Sequence, residues 1–249
     1  MKKSIIIFAV LILTAGSIYA QTLKAYVMQS EPLGYIENGQ PKGEHVDYLQ
    51  AIADKAGIDI DIEVVPKSKV FAGIKSGDID VSIFFRASKW DNFVEYAGKV
   101  RDIRIVAVNR VGKPLNSYTD LYNSSRVGVL ANTSISDEFD NDSSINRFSV
   151  PNYETMLKTI AGGRIDTGVG NAIVLSYLTN KLGFSSKIQS EGITLGSNAQ
   201  WLQFSKKADN LDQLDKFSAA LEALKADGTL DSILDGYAGS SWRDLNAID

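Results

Sequence analysis

The chain has 249 residues, with 26 Lys or Arg, 30 Asp or Glu and a formal net charge of −4. This length fits one large domain or two lobes of about 100 residues each, and the 44% hydrophobic and 22% charged content is typical of a globular protein. The sequence contains no cysteine and no basic tract, which excludes disulfides, thiolate metal sites and a cysteine nucleophile and makes nucleic acid an unexpected partner.

The first twenty residues differ in composition from the rest. Lys2 and Lys3 precede an apolar run at residues 5–13, and Ala20 lies at a plausible cleavage position. A charged start, a short apolar segment and a small residue are typical of a secretory signal peptide. The alternative, an uncleaved membrane anchor, would need about 20 apolar residues. We therefore expect residues 1–20 to be a cleaved signal peptide and the mature protein to be periplasmic.

The first part of the mature chain alternates between strand and helix patterns. Turn signals at residues 37–40 separate the first strand from the first helix, which ends at Gly57. Strand patterns occupy residues 23–28, 58–64 and 82–85. Helix patterns occupy residues 46–56 and 70–74.

The remaining chain continues this alternation. Residues 103–109 are predicted to carry the chain out of the first lobe, and the last helix ends at Gly228. Further strand patterns occupy residues 127–130, 165–169 and 202–204. Further helix patterns occupy residues 153–161, 172–182 and 211–224. Strands that alternate with helices indicate an α/β fold with largely parallel sheets.

Two stretches repeat each other at a distance of 86 residues, at positions 74–83 and 160–169. They share Ile, Gly, Ile and Asp at the same offsets. A repeat of this length indicates two similar lobes rather than a solenoid. We expect its acids, Asp80 and Asp166, to position backbone turns. The predicted lobes are residues 21–104 with 199–249, and residues 105–198, with a ligand cleft between them.

Four passages carry a family likeness: the turn at residues 33–43, the repeat at 74–83, the segment at 94–97 and the tail at 221–229. Together they resemble the family 3 periplasmic solute-binding proteins of ABC transporters, of the polar amino-acid-binding type. The resemblance implies the two-lobed type II periplasmic binding protein fold, in which each lobe is a mostly parallel sheet flanked by helices. It also implies a small-molecule ligand and a membrane permease as partners. We expect a monomer without cofactor or metal.

The resemblance also implies a ligand clamp. In amino-acid binders of this family, an arginine after the first-lobe strand holds the ligand carboxylate and an aspartate after the second-lobe strand holds its ammonium. The matching positions here are Trp90 and Asn171, with Arg86 four residues before Trp90. An amide cannot neutralise a buried ammonium. We therefore expect a small polar or anionic ligand, amino-acid-like or carboxylate-bearing, but not a standard α-amino acid.

The strand end of the first lobe supplies three candidate ligand-binding residues. Arg86 is either an anion anchor at the cleft floor or the partner of an acid such as Asp91. Trp90 either covers the core of the first lobe or forms an aromatic wall for the ligand. Phe85 either belongs to that core or lines a less polar pocket.

The second lobe supplies four more candidates. Asn132, Thr133 and Ser134 follow a predicted strand and precede a predicted helix. They either bind an anion at the exposed backbone N–H groups of the helix start or simply cap that helix. We expect Asn171 to contact the ligand. It follows the second copy of the repeat, as Phe85 and Arg86 follow the first, so these residues should face each other across the cleft.

Glu31 in the turn after the first strand, and Trp201 in the returning strand, complete the predicted ligand-binding set. His45, the only histidine, is expected to be exposed at a helix start rather than to bind a metal. Motifs of nucleophilic catalysis are absent from the sequence. The alternatives to a transport protein are a prephenate or arogenate dehydratase-like enzyme, with Glu31 or Glu44 as general acid, and the ligand-sensing module of a signalling system.

Overall fold

A computed structural model describes residues 22–131, 133–189 and 192–239, together with Trp242. The predicted signal peptide and Asn132 lie outside the described residues. The strands are β1 (Leu23–Met28), β2 (Tyr35–Glu37), β3 (Gln40–Lys42), β4 (Ile60–Val65), β5 (Val81–Phe85), β6 (Val94–Asn109), β7 (Val127–Leu130), β8 (Arg147–Val150), β9 (Thr167–Asn171) and β10 (Ile193–Ser205). The helices are α1 (Glu44–Ala56), α2 (Lys67–Ser76), α3 (Asp137–Asn141), α4 (Tyr153–Ala161), α5 (Ala172–Lys181), α6 (Leu214–Ala226) and α7 (Thr229–Ala238).

Eight strands form one sheet in the order β4-β1-β5-β10-β6-β9-β7-β8, and β2 and β3 form a separate hairpin. β1 is parallel to β4 and β5, while β7 is parallel to β8 and β9. The long strands β6 and β10 run antiparallel to each other between these two groups. The predicted α/β fold with two mostly parallel halves is confirmed.

The apolar core is divided in the same way. One set of buried side chains packs around β1, β5, α1 and α6 and includes Leu49, Phe204 and Phe217. Another packs around α4, α5 and part of β6 and includes Met156 and Ile160. Each parallel group of strands therefore has its own core, and the long antiparallel pair connects the two lobes.

The repeated acids hold equivalent turns in the two lobes. The backbone N–H of Lys24, in β1, donates to Asp80 Oδ2 at 2.8 Å. The backbone N–H of Ser125, just before β7, donates to Asp166 Oδ2 at 3.1 Å. Each carboxylate thus ties the turn after a helix to the backbone at or just before a neighbouring strand, and the predicted turn-holding role is confirmed.

The connecting strands are longer than the sequence pattern suggested. β6 extends over 16 residues and β10 over 13, whereas the alternation predicted only residues 103–109 and 202–204. The missed part of β6 contains Gly98, Lys99 and Asp102. Its buried residues Val94, Ala97 and Val100 lie three apart because the register with β10 shifts on either side of Leu202, and such bulges break the alternation of apolar and polar residues.

Candidate functional site

The strand register places the carboxyl ends of β5 and β9 opposite each other along β6. Phe85, the last residue of β5, pairs with Gln200, which pairs with Arg101 of β6. Asn171, the last residue of β9, pairs with Ile105 of β6. On β6, Arg101 marks the end of β5 and Ile105 marks the end of β9. These two positions are four residues apart, or roughly 13 Å at the usual rise of a strand. This gap between strand ends is where ligands bind in open α/β sheets.

Arg86 lies at the first-lobe edge of this gap. Its guanidinium carbon is 4.4 Å from the ring centroid of Tyr96 and 4.8 Å from that of Trp201. Asp91, which the sequence offered as its alternative partner, instead accepts a hydrogen bond from the Tyr96 hydroxyl at 2.5 Å. The Arg86 side chain is exposed, so the two rings hold a positive charge at the rim of the cleft.

The two neighbouring aromatic candidates lie deeper. Trp90 is only 5% exposed, and its ring packs 4.5 Å from that of Phe71 and 5.4 Å from that of Phe84. This is the core position that the sequence offered as the alternative to ligand contact. Phe85 is half-buried against the large core of the first lobe, on the strand face that also carries Gln200.

In the loop after β7, Thr133 is exposed and the Ser134 hydroxyl donates to the carboxylate of Asp140. The N-cap of α3 is Ser136, whose side chain accepts from a backbone N–H of the first turn. The helix-capping role offered for residues 132–134 therefore falls to Ser136, because α3 begins later than expected. An anion-binding role of Thr133 and Ser134 stays a prediction.

Asn171 is buried at the second-lobe edge and caps α5. Its Oδ1 accepts from the backbone N–H groups of Ile173 at 2.9 Å and Val174 at 3.2 Å. Its own backbone N–H donates to the Tyr153 hydroxyl at 3.1 Å. Because the helix start engages the side-chain oxygen, only the amide nitrogen is left for a ligand, and the ligand contact of Asn171 stays a prediction.

Glu31 lies in the loop after β1 but contacts the second lobe. Its carboxylate accepts hydrogen bonds from Lys181 and, at 3.3 Å, from the Tyr177 hydroxyl, both on α5. The hydrogen bond from Lys181 to Glu31 raises the pKa of the Lys181 ammonium. In this structure Glu31 therefore connects the two lobes.

Sequence reasoning missed a group of five polar side chains between α1 and the connecting strands: Glu44, His45, Tyr48, Arg101 and Gln200. We call this group the buried polar cluster. Glu44, His45, Tyr48 and Gln200 are each 0–2% exposed. Both oxygens of Glu44, both ring nitrogens of His45, the Tyr48 hydroxyl, Nε and Nη1 of Arg101 and Oε1 of Gln200 have no hydrogen-bond partner.

The prediction that His45 is exposed is wrong. The loop after β1 folds over the start of α1, so that the backbone N–H of Glu44 donates to Pro32 at 2.9 Å and that of His45 donates to Leu33 at 3.0 Å. The helical spacing of apolar residues locates α1 correctly, but it does not show that a distant loop covers its first turn.

Burial governs the charges in the buried polar cluster. It lowers the pKa of His45 to about 3, with a further contribution from the positive charge of Arg101, and the nearby Gln200 side chain partly opposes both effects. It raises the pKa of Glu44, an effect that Arg101 partly opposes. His45 Nε2 lies 3.5 Å from Glu44 Oε1, but a neutral imidazole forms no ion pair. Each buried polar group left without a partner costs about 1–3 kcal/mol.

A surface pocket of about 370 Å³ lies away from the cleft, beside β8 and α4, and is lined in part by Arg126, Phe148 and Arg164. It contains none of the predicted ligand-binding residues. In the part of the chain that the structure describes, the helices are too short or too polar to cross a membrane. Among the same residues, no group of three or more His, Asp and Glu side chains is placed to hold a metal ion.

Two lobes joined by a pair of long strands, with strand ends facing across the joint, define the fold of a two-lobed ligand-binding protein. The family "Bacterial extracellular solute-binding proteins, family 3" matches residues 23–240. The chain therefore belongs to this family, as the four passages of the sequence indicated.

Known proteins similar to the chain are binding proteins and sensor domains. It is 28% identical over 220 residues to the "Probable amino-acid-binding protein YxeM" of Bacillus subtilis (strain 168), covering 84% of this chain and 80% of that protein. It is similar in fold to an ancestral arginine-binding protein bound to glutamine, with a TM-score of 0.68, 22% identity and coverage of 88% and 98%. A histidine kinase sensor domain with similarity to periplasmic binding proteins matches with a TM-score of 0.69, 18% identity and coverage of 88% and 96%.

Proposed function

We propose that this protein is a periplasmic solute-binding protein that closes over a small polar or anionic ligand and delivers it to the permease of an ABC transporter. The observation that carries the proposal is the register of β5 and β9 on the connecting strands. It sets two strand ends from different lobes opposite each other across a gap suited to a small molecule. Family membership supports binding rather than catalysis as the role of this gap.

Closure follows from the way in which the lobes are connected. A ligand that touches both strand ends makes more contacts when the lobes are together, so it shifts the population toward the closed form. We place the hinge in the paired stretch of β6 and β10 where Ile103 lies opposite Asn198. This assigns residues 21–104 and 199–249 to one lobe and residues 105–198 to the other.

The ligand class follows from the charges at the two strand ends. Arg86 supplies an exposed positive charge at the first-lobe rim of the cleft. Asn171, at the second-lobe edge, is uncharged. An ammonium group would meet no acid at Asn171, so we infer an amino-acid-like or carboxylate-bearing ligand other than a standard α-amino acid. Export through the signal peptide at residues 1–20 would bring the protein to such solutes in the periplasm.

The proposal is tested by purifying the protein from its host under native conditions and identifying any bound small molecule by mass spectrometry. A thermal-shift screen of organic acids, amino acids and sugars then covers ligands that are lost in purification, since a ligand raises the melting temperature by mass action. We expect hits among carboxylates. A screen whose only hits are uncharged sugars would contradict the proposed ligand class.

A sensing role is the second candidate, because a histidine kinase sensor domain shares this fold. It uses the same ligand-driven closure, so the two roles differ in the partner that reads the closed form. Binding of the ligand-loaded protein to a permease in proteoliposomes supports transport. Binding only to the periplasmic part of a kinase or cyclase supports sensing.

An enzymatic role has less support. Glu31, one proposed general acid, is engaged by Lys181 and Tyr177. Glu44, the other, is fully buried. We expect no turnover of prephenate or arogenate, which an absorbance assay of the aromatic product measures directly.

A further inference from the structure

The buried polar cluster lies at the first-lobe edge of the cleft. Gln200 and Arg101 pair with each other in the connecting strands, at the level where β5 ends. Glu44, His45 and Tyr48 approach them from the first two turns of α1. The guanidinium carbon of Arg101 lies 4.8 Å from the Tyr48 ring centroid. These side chains thus meet on one face of the sheet. Gln200 lies directly beside Phe85, the last residue of β5, and this strand end borders the proposed ligand gap.

The side chains of the cluster lie close together without well-aligned hydrogen bonds: His45 Nε2 is 3.5 Å from Glu44 Oε1, and Gln200 lies near enough to His45 to act on its pKa. Arg101 is a donor only and always charged, while Gln200 Oε1 is an acceptor only. Neither Oε1 nor Oε2 of Glu44 accepts a hydrogen bond, although Arg101 is close enough to influence its pKa. Native proteins leave few buried polar groups unpaired, and several together at one place indicate a bound polar group.

We propose that the buried polar cluster binds the polar end of the ligand, a carboxylate that carries a hydroxyl or carbonyl on the adjacent carbon. Arg101 takes the carboxylate, because a guanidinium matches its planar pair of oxygens. Glu44 and Gln200 take the adjacent hydroxyl or carbonyl. This inference rests on the proposed function, and it names the ligand class as 2-hydroxy or 2-oxo acids.

The charge balance separates these acids from amino acids. A carboxylate beside Arg101 neutralises the charge of the guanidinium inside the cluster. An added ammonium would require an ionised Glu44 in the apolar core, and burial raises the pKa of that carboxyl group. The cluster therefore favours a neutral substituent, which agrees with the absence of an acid at Asn171.

Access to the cluster comes through opening of the lobes. Arg101 and Gln200 belong to the two strands that connect the lobes. Ile173, at the start of α5 in the second lobe, packs into the same core as Tyr48. Separation of the lobes would withdraw Ile173 from this core.

Matched ligand pairs test the inference. L-lactate and L-alanine, L-malate and L-aspartate, and 2-hydroxyglutarate and L-glutamate differ only in the substituent beside the carboxylate. By calorimetry we expect at least one hydroxy acid to bind roughly tenfold or more tightly than its amino partner, since a buried unpaired charge opposes the latter. Absence of binding by all six acids, or preference for the amino partner, would overturn the inference.

The single histidine gives a direct reporter. In protein without a histidine tag, labelled at the imidazole carbon, His45 gives the only histidine NMR signal. We expect the hydroxy acid that binds in calorimetry to shift this signal in proportion to its occupancy. An unshifted signal at full occupancy would place the ligand elsewhere and leave the buried polar cluster a structural network.

Variants separate this inference from the proposed function. Arg101→Gln should weaken both acids of a pair roughly tenfold or more, because they share the carboxylate, whereas Glu44→Ala should weaken the hydroxy acid and reduce its advantage over the amino partner. Arg126→Gln and Glu63→Ala, at exposed sites outside the cluster, are the matched controls and should bind as wild type. Circular dichroism checks folding, and the NMR experiment on wild type does not depend on any variant. If a co-purified ligand binds equally to all four variants, the cluster inference fails while solute binding stands.

Discussion

Glu31, in the loop after β1, and Lys181, in the last turn of α5, form an ion pair that joins the two lobes. The side chains are 32% and 47% exposed, so the pair is screened by solvent and contributes about 0.2–1 kcal/mol. That is little for the stability of the whole protein, but it is enough to bias an equilibrium between open and closed lobes.

Lys181→Ala should therefore favour the open form by up to about fivefold. In small-angle X-ray scattering, the ligand-free variant should show a larger radius of gyration than wild type. Lys158→Ala, which removes an exposed lysine paired with Glu154 within one helix, is the control. Equal radii for wild type and Lys181→Ala would show that the ion pair does not bias the lobes.

Arg86 tests the role of charge at the cleft rim. Because its guanidinium is exposed between Tyr96 and Trp201, Arg86→Ala should slow the association of anionic ligands and reduce the salt dependence of that rate. Stopped-flow fluorescence measures both quantities, with Trp201 as a nearby reporter. An unchanged association rate at low and high salt would return Arg86 to a purely structural role.

Asn171 tests the argument from the altered clamp. Asn171→Asp keeps a helix-capping carboxylate at α5, so it should fold normally. It should bind L-amino acids more tightly than wild type does, because it supplies the missing counter-charge. Asn171→Ala, which removes the cap, should lose about 1 kcal/mol of unfolding free energy in urea titrations.

One calorimetric outcome would contradict the inferred ligand class. If wild type already binds standard L-amino acids tightly by calorimetry and Asn171→Asp brings no gain, the amide at this position does not determine the ligand class.

His45 makes stability depend on pH in a defined direction. Its pKa is lowered from 6.5 to about 3 in the folded protein, so the unfolded chain binds a proton between these values and the folded chain does not. Stability therefore falls as the pH decreases through this range. From pH 7 to pH 5 we expect this residue to remove about 2 kcal/mol of unfolding free energy.

The effect is measured by urea unfolding of wild type and His45→Gln at both pH values. The variant lacks the titrating group, so it should lose less stability on acidification than wild type. Glu44 acts in the opposite direction, because its raised pKa favours proton uptake by the folded state above pH 4.5, but it is present in both proteins. Equal losses in the two proteins would contradict a buried, neutral His45.

Local patterns in the sequence predicted the elements of the fold well. The helical spacing at residues 153–161 coincides with α4, and Gly57 adopts the left-handed conformation (φ 69°) at the end of α1. The repeat located Asp80 and Asp166 in equivalent turns. These features depend on residues close together in the chain, and sequence patterns report such neighbours directly.

The candidate site was less predictable because it depends on contacts between distant segments. Trp90 is buried because Phe71 of α2 packs on its ring. Glu31 is engaged because α5 brings Lys181 to it, 150 residues later in the chain. The buried polar cluster exists because the loop at Pro32 covers the first turn of α1. The spacing of residues within one segment does not predict these contacts between distant segments.

The central claim is that a small ligand brings the two lobes together. Because the chain has no cysteine, spin labels at Lys89→Cys and Glu154→Cys, both exposed and in different lobes, permit a direct distance measurement by pulsed electron paramagnetic resonance. With the carboxylate ligand found by thermal shift, we predict a shorter and narrower distance distribution than without it. An unchanged distribution at saturating ligand would contradict the account.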